Sequence, residues 1–276
     1  MNLTIVGLRK FWTRIATIVS ILVAIGIIAL EFVGIGISYS AETSGGTSGG
    51  PDAATFAWYL TYPGTYDAAL SLVYAFLGII GLIWIATAAG TEWSWGTLKV
   101  AVARGNSRSG YVLSTFASLS IILLVGVLIA FVVALLAAFA GAQIAGLSPG
   151  SPLDGGALPG VLVKFFRLWI ALTALMSLAY AITMVAKSQM AGIGAVIGYF
   201  AISIIGPALM PEIVKQVFRY LPFSISSDAI GLANPPGTGM NSVAIEPNLA
   251  LVITIGWLVG LLAVACVSVE RAEITG

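Results

Sequence analysis

Histidine is absent from this chain of 276 residues, and cysteine occurs only once, at Cys266. The absence of histidine excludes His-ligated haem, the usual His-containing zinc sites and catalytic triads that use imidazole as the base. A single cysteine cannot form a disulfide within the chain, so cysteine usage does not indicate the redox compartment. We therefore predict that this chain has no metal site and no catalytic residues.

Charged residues are also scarce, at 8% of the chain, whereas a typical soluble domain has about 25%. The formal net charge is only +1 and the basic residues form no cluster, so we expect no nucleic-acid partner. Hydrophobic residues make up 59% of the sequence, and the mean hydropathy is +1.05. These values predict an integral membrane protein that is embedded in a lipid bilayer.

Six apolar segments reach the roughly 20 residues that a membrane-spanning helix needs. The predicted fold class is all-α, a polytopic membrane protein in which 1–276 form a single transmembrane domain. The first segment extends far beyond the roughly 7–15 apolar residues of a signal peptide, so we interpret it as a retained span. The predicted spans are 15–39, 67–89, 111–144, 161–186, 190–209 and 249–269.

Lysine and arginine are distributed unevenly among the connections. With the N-terminus inside, eight of them are cytoplasmic and four are external, an asymmetry that favours this orientation. We therefore expect a multi-pass protein of the plasma (inner) membrane with both termini in the cytoplasm. The cytoplasmic set is Arg9, Lys10, Arg14, Lys99, Arg104, Arg108, Lys187 and Arg271, and the external set is Lys164, Arg167, Lys215 and Arg219.

Two shorter segments have an amphipathic pattern. Residues 1–13 predict a helix that lies in the membrane interface before the first span. A second amphipathic helix is predicted to begin at Pro211, lie on the outer surface and end near Pro222. Residues 40–65, which are rich in glycine and serine and then in aromatic residues, are predicted to form an external loop.

The connection between the second and third spans predicts a short cytoplasmic helix. Thr91 can cap a helix that begins near Glu92, and Gly105 can end it in the left-handed conformation. Asn106 or Ser107 can then cap the third span. Such a helix, fixed between two spans, can transmit force from a partner protein. The alternative interpretation is a helix that lies in the membrane interface, where its tryptophans anchor it, and that has no role in transmitting force.

This connection resembles a known family of transporters. The pattern consists of an acidic residue, a Gly-Thr pair and two arginines, and Tyr111 follows them. It looks like the loop between spans two and three of type-2 ATP-binding-cassette (ABC) exporter permeases. Gly105 departs from the pattern, since family members often have proline there. The resemblance implies a coupling helix that docks on a separate ATPase subunit, with the ATPase-coupling residues Glu92, Gly96, Thr97, Arg104 and Arg108.

The resemblance also implies a function. No Gly-x-x-x-x-Gly-Lys-Ser/Thr phosphate loop occurs in the sequence, so the chain itself is not expected to be an enzyme, and ATP and Mg would be bound by ABC ATPase subunits. The chain would be a permease subunit that pairs with a second copy or a homologue and moves an amphipathic or lipid-like substrate out of the cytoplasm. Drugs, antibiotics, lipids and peptides all stay open as substrates. The rival interpretations are an ion-coupled secondary transporter and an intramembrane enzyme.

Glu31 is the only carboxylate well inside a predicted span. A charge at mid-membrane costs about 2.5–3.5 kcal/mol on insertion scales, so such residues usually have partners or functions. Arg167 lies at a similar predicted depth, and Lys164 lies one turn nearer the surface. We predict an interhelical ion pair between Glu31 and Arg167. The alternatives are contact with a substrate or a proton, snorkelling to the membrane surface, and a water-filled cleft.

Gly194 and Gly198 form a Gly-x-x-x-Gly pattern in the fifth span. Small residues at this spacing allow two helices to approach closely. We therefore predict a helix-packing site at these glycines, with contacts inside the chain favoured over contacts between two copies.

Overall fold

The structure, a computed structural model, describes residues 3–45, 53–152, 156–209, 211–235 and 245–272. All regular secondary structure in these ranges is helical. The helices are α1 (Leu3–Trp12), α2 (Ile15–Thr43), α3 (Ala53–Leu60), α4 (Gly64–Ser94), α5 (Thr97–Ala103), α6 (Arg108–Ile144), α7 (Leu158–Ala186), α8 (Gln189–Leu209), α9 (Glu212–Phe218), α10 (Pro222–Ile230) and α11 (Pro247–Glu270).

Five helices are long and apolar enough to cross a membrane, namely α2, α4, α6, α7 and α11. They have between 24 and 37 residues, or about 36–55 Å at 1.5 Å per residue, against a hydrocarbon thickness of about 30 Å. The all-helical, multi-pass prediction is confirmed. In α8 the described apolar part is Gln189–Ile202, which is shorter than these five, so the sixth span stays a prediction.

Helices α4 and α7 form the centre of the bundle and bury most of their apolar surface, whereas α2 and α11 bury only one stripe each. The core contains many alanine and leucine side chains with interspersed aromatic residues. Small residues let the backbones approach closely. The clearest example is the crossing of α2 and α6, where a Cβ at Gly36 or Gly141 would collide with the backbone of the other helix.

Helix α1 packs against the bundle and is not an isolated surface segment. Phe11 is almost fully buried, and the Ser118 hydroxyl of α6 donates to the carbonyl of Thr4 at 3.0 Å. The hydroxyl of Thr17 donates to the carbonyl of Phe11 at 2.8 Å and accepts the indole N–H of Trp84 at 3.0 Å. These bonds hold α1, α2 and α4 together. The depth of α1 in a membrane interface stays a prediction.

The bundle has two chemically different ends. One, here called the α5 end, carries α1, the end of α4, α5, the start of α6 and the end of α11. The other, here called the α10 end, carries α3, the starts of α4 and α7, α10 and the start of α11.

Two helices at the α10 end were not predicted. Helix α3 lies within residues 40–65, which were predicted as loop. Pro222, predicted to end a helix, instead begins α10, because proline lacks only an N–H that has no partner in a first helical turn. The separate helix α9 occupies Glu212–Phe218, and its position on an outer membrane surface stays a prediction.

Candidate functional site

A buried carboxylate lies where four helices meet at the α5 end. Glu92 is in the last turn of α4 and is only 1% exposed. Its Oε1 accepts a hydrogen bond from Lys10 Nζ of α1 at 2.6 Å. Its Oε2 accepts from the Thr97 hydroxyl of α5 at 2.6 Å and from the Tyr111 hydroxyl of α6. We call Lys10, Glu92, Thr97 and Tyr111 the Glu92 junction.

The local sequence explains why the chain turns at this point. Helix α4 ends at Ser94, and Gly96 adopts φ +64°, a left-handed conformation that glycine tolerates best. Thr97 then begins α5, and its hydroxyl also donates to the carbonyl of Glu92 at 3.2 Å. The predicted helix start at Glu92 with Thr91 as its cap is therefore wrong, because both residues still belong to α4.

The other end of α5 agrees with the sequence prediction. Gly105 has φ +84° and follows the last turn, as expected for a glycine that ends a helix. The hydroxyl of Ser107 accepts the N–H of Gly110 at 3.2 Å and caps α6. Helix α5 is therefore a seven-residue segment between two left-handed glycines.

A second set of contacts holds the start of α2 to the same end. Nη1 of Arg14 donates to the Thr91 hydroxyl at 2.9 Å. Its guanidinium carbon lies 4.9 Å from the Phe11 ring centroid and 5.1 Å from that of Trp95, distances at which cation–π attraction is effective. The α4–α5 turn is thus fixed from α1, α2 and α6.

One side of α5 remains open to solvent. Leu98 is buried and anchors the helix, whereas Trp95 and Val100 are 68% and 50% exposed. The open side, here called the α5 face, consists of Trp95, Lys99, Val100, Ala103 and Arg104. Across the described ranges, no side-chain bond or ion pair is recorded for Arg104.

Arg108, predicted to contact a partner, instead caps the last helix. Its Nη1 donates to the carbonyls of Glu270 at 2.9 Å, Ala272 at 2.8 Å and, more weakly, Val269 at 3.4 Å. The N–H of Ser109 donates to the Glu270 carboxylate at 3.1 Å. A cation at a helix C-terminus satisfies carbonyls that have no partner within the helix.

The structure thus divides the five predicted coupling residues. Glu92 and Thr97 bond to each other inside the junction, Gly96 forms the turn, and Arg108 caps α11. Arg104 lies exposed on the α5 face, and no side-chain partner for it is found among the described residues.

The predicted ion pair between Glu31 and Arg167 is absent from the described part of the chain. Lys164 instead binds Asp67, with Nζ 2.6 Å from Oδ1 and 2.9 Å from Oδ2. Nη2 of Arg167 donates to Oδ1 of Asn248 at 2.5 Å. Glu31 is exposed. The prediction used depth alone, and Glu31 lies beside the buried stripe of α2 and not within it.

Asp67 was missed by the sequence analysis, although it stood at the start of the second predicted span. Its carboxylate also accepts the N–H of Ala233 at 3.3 Å, so it connects α4 and α7 to the segment after α10. The signal that could have found it was an acidic residue at the same membrane end as two basic residues, Lys164 and Arg167.

In the described part of the chain, no helix packs closely against Gly194 or Gly198. No atom of another helix lies within 4 Å of the position that a Cβ would take at either residue. Close contacts of α8 lie nearer its start, at Gln189 and Gly192. A Cβ at Gly192 would collide with Thr183, and one at Gly90 of α4 would collide with Gln189.

The five long apolar helices define this chain as a polytopic α-helical membrane protein. It belongs to the family described as protein of unknown function, DUF2705, whose model matches residues 32–275. This match includes α4 to α11 and therefore contains Glu92, Asp67 and their helices. A comparison with curated proteins gave no match.

Proposed function

We propose that this chain is the membrane-spanning permease subunit of an ABC exporter and that a separate ATPase binds the α5 face. The observation that supports this proposal is the combination of an exposed seven-residue helix with a buried carboxylate at its base. The α5 face offers a partner apolar, aromatic and cationic groups. The junction beneath it ties that surface to α1, α4 and α6.

The geometry suits the transmission of a displacement. A partner that pushes or pulls α5 acts on α4 through Gly96 and on α6 through Gly105. The ion pair between Lys10 and Glu92 adds α1 to the same unit. Because packed helices move as rigid bodies and not by continuous deformation, a small movement of α5 becomes a tilt of two long helices.

The residues then have different roles from those that the resemblance suggested. Arg104 contacts the ATPase directly, because guanidinium groups bind carboxylates in a fork geometry. Glu92 and Thr97 are positioning residues that hold α5 at its angle. Arg108 acts on the other side of the junction, where it attaches α11.

The remaining parts of the proposal follow from this assignment. The ATPase binds ATP and Mg, the α5 end faces the cytoplasm together with both termini, and α8 forms the sixth span in the plasma membrane. A second copy or a homologue completes the pathway. The substrate is amphipathic or lipid-like, because few charges are available along the helices to line a polar path.

The test is recovery of an ATPase with the tagged full-length chain after purification from its own membranes. Arg104→Ala is the informative variant, and Arg9→Ala is its matched control, because Arg9 is an exposed arginine at the same end but on α1. We expect Arg104→Ala to weaken ATPase binding about tenfold, which corresponds to ~1.4 kcal/mol, and the control to bind normally.

Two results would contradict the proposal. One is the absence of any ATPase from the purified wild-type complex, combined with uptake or efflux that follows a proton gradient. That result would favour an ion-coupled transporter, for which the exposed Glu31 in α2 would be the first residue to examine. The other is equal ATPase binding by the Arg104 variant and the wild type, which would leave α5 as an interfacial anchor.

A further inference from the structure

A cavity of about 620 Å³ lies at the α10 end, between α3, α4, α10 and the start of α11. We call it the α10 cavity. Its volume falls within the roughly 300–1,000 Å³ of small-molecule sites. It is lined by both polar and apolar groups, in contrast to the largely apolar surfaces of the spans.

Helix α4 presents a polar stripe to this cavity. Asp67, Ser71 and Tyr74 line it, and their spacing of four and three residues places them on one face of a helix. The stripe extends over about two turns, or roughly 10 Å. A polar stripe on a membrane-spanning helix costs free energy unless it faces protein, water or a ligand.

Among the residues that the structure describes, the charged side chains that line the cavity are all acidic. They are the three carboxylates of Asp67, Asp228 and Glu246. Two of the three are compensated by groups outside the cavity wall. Asp67 is paired with Lys164, and Glu246 caps α11, where the backbone N–H groups, with a smaller contribution from Arg167, lower its pKa.

Asp228 is the carboxylate without a compensating cation. Its Oδ2 accepts one backbone N–H, that of Ile245, at 3.1 Å. No lysine or arginine within 4.0 Å is recorded for it among the residues that the structure describes. A partly buried carboxylate with spare acceptor capacity favours a positive partner.

Aromatic side chains also belong to the lining. Trp58 and Tyr59 of α3 both line the cavity, with ring centroids 5.4 Å apart and planes at 77°. Aromatic faces attract organic cations, and quaternary ammonium ligands are recognised in this way by aromatic cages. An inorganic ion does not fit as well, because no group of three metal-ligating side chains is found in the described ranges.

We propose that the α10 cavity binds an amphipathic organic cation, with Asp228 as its counter-charge and Trp58 and Tyr59 as its aromatic wall. The cationic centre lies near Asp228, and the attached apolar groups extend along the aromatic side. This site requires neither an ATPase nor transport, so it is independent of the proposed function. If the chain is an exporter, the site lies at the end of the bundle opposite the ATPase.

The test uses tetraphenylphosphonium and tetraphenylborate, which have nearly the same shape and opposite charge. Binding of each is measured by equilibrium dialysis on the purified full-length chain in phosphatidylcholine nanodiscs, with empty nanodiscs subtracted. We expect saturable binding of the cation that is about tenfold or more tighter than that of the anion. Comparable binding of both ions would overturn the proposal, because partition into apolar surface would then explain it.

Two single substitutions test whether the cation binds next to Asp228. Asp228→Asn keeps an acceptor for the Ile245 N–H but removes the charge, and we expect it to weaken cation binding about tenfold. Glu31→Gln is the matched control, since it removes an exposed carboxylate from α2, outside the cavity lining, and binding should be unchanged. Equal effects of both variants would contradict the assignment and point to general electrostatic attraction.

A second pair of variants keeps the test decisive if Asp228→Asn does not fold. Trp58→Leu should weaken binding of the cation, whereas Trp58→Phe, which keeps an aromatic ring, should retain most of it. Loss with both, or with neither, would exclude the aromatic wall. Displacement of the phosphonium by micromolar Ca²⁺ that is reversed by EDTA would also overturn the proposal, because it would identify an inorganic cation site.

Discussion

The two ends of the bundle each have a lysine–carboxylate pair with an N–O distance of 2.6 Å, and the two lysine side chains are equally exposed, at 29%. Their surroundings differ. Around Glu92, donors from three other helices, Lys10, Thr97 and Tyr111, occupy both carboxylate oxygens. Around Asp67, the pair borders a cavity that is also lined by Asp228, for which the described part of the chain provides no lysine or arginine partner. The first pair fastens helices together, whereas the second lies beside a space that a ligand can enter.

The largest expected effect comes from leaving Glu92 without its cation. Lys10→Met should destabilise the protein by about 3 kcal/mol, because a carboxylate that is buried among four helices then has no positive partner. Thermal unfolding in detergent, followed by size-exclusion fluorescence, measures the change. The double variant Lys10→Met/Glu92→Gln should recover part of the loss. Additive losses would mean that the pair contributes no coupling and that the junction is held by packing alone.

A substitution in the pair of Asp67 and Lys164, measured in the same way, sharpens the comparison. Asp67→Asn should cost about 1–2 kcal/mol, less than at Glu92, because the Asp67 side chain is 11% exposed and Lys164 can reach solvent. The asparagine keeps an acceptor for the N–H of Ala233. A loss as large as that of Lys10→Met, under the same unfolding conditions, would show that Glu92 and Asp67 are equally shielded from solvent. The two pairs would then not differ in the way described.

The two arginines that follow α5 provide an intermediate effect. Arg108→Gln should lower stability by about 1–2 kcal/mol, because it removes the charged donor from the C-terminal carbonyls of α11. Arg104→Gln should leave the melting temperature nearly unchanged, because its side chain is exposed. If the two variants melted alike, the assignment of Arg108 to the C-terminal cap of α11 and of Arg104 to the α5 face would be wrong.

The smallest effect is expected at Glu246, which caps α11 and whose pKa is lowered by the N–H groups that it accepts. A carboxyl with a lowered pKa in the folded state stabilises it above the ordinary pKa, and this contribution is lost as the pH falls through the lower value. Glu246→Gln should therefore melt slightly below the wild type at pH 7, and the difference should shrink in acid. A difference that is independent of pH would indicate a steric and not an ionic role.

The sequence predicts best those helices that are marked by a long, continuous run of apolar residues. A run of 20 or more apolar residues in a bilayer forms a helix, because its backbone groups must bond to one another. Five of the predicted segments therefore coincide with long helices of the structure to within a few residues. Helices α3 and α10 have only eight and nine residues, too few for a hydrophobic period to distinguish them from an apolar loop. Pro222 was misinterpreted because proline both ends a helix and begins one.

The polar contacts could not be predicted from the same signals. Lys10 and Glu92 are 82 residues apart, and Lys164 and Asp67 are 97 apart. Composition and periodicity describe neighbours along one helix and contain no information on which helices touch. Depth alone matched Glu31 with Arg167, but an ion pair also requires that both side chains face the same neighbour. The close packing at Gly36 fixes the rotation of α2 about its axis, and in that rotation Glu31 does not face Arg167.

The cap that Arg108 places on α11 has a consequence for biosynthesis. Its acceptors are carbonyls that lie more than 160 residues later in the chain, so the arginine is translated and inserted long before they exist. Until α11 enters the membrane, the guanidinium at the start of α6 lacks these acceptors. The start of α6 therefore reaches its final form only when the last helix has been assembled, and unfinished or truncated chains would present a different surface there from complete ones.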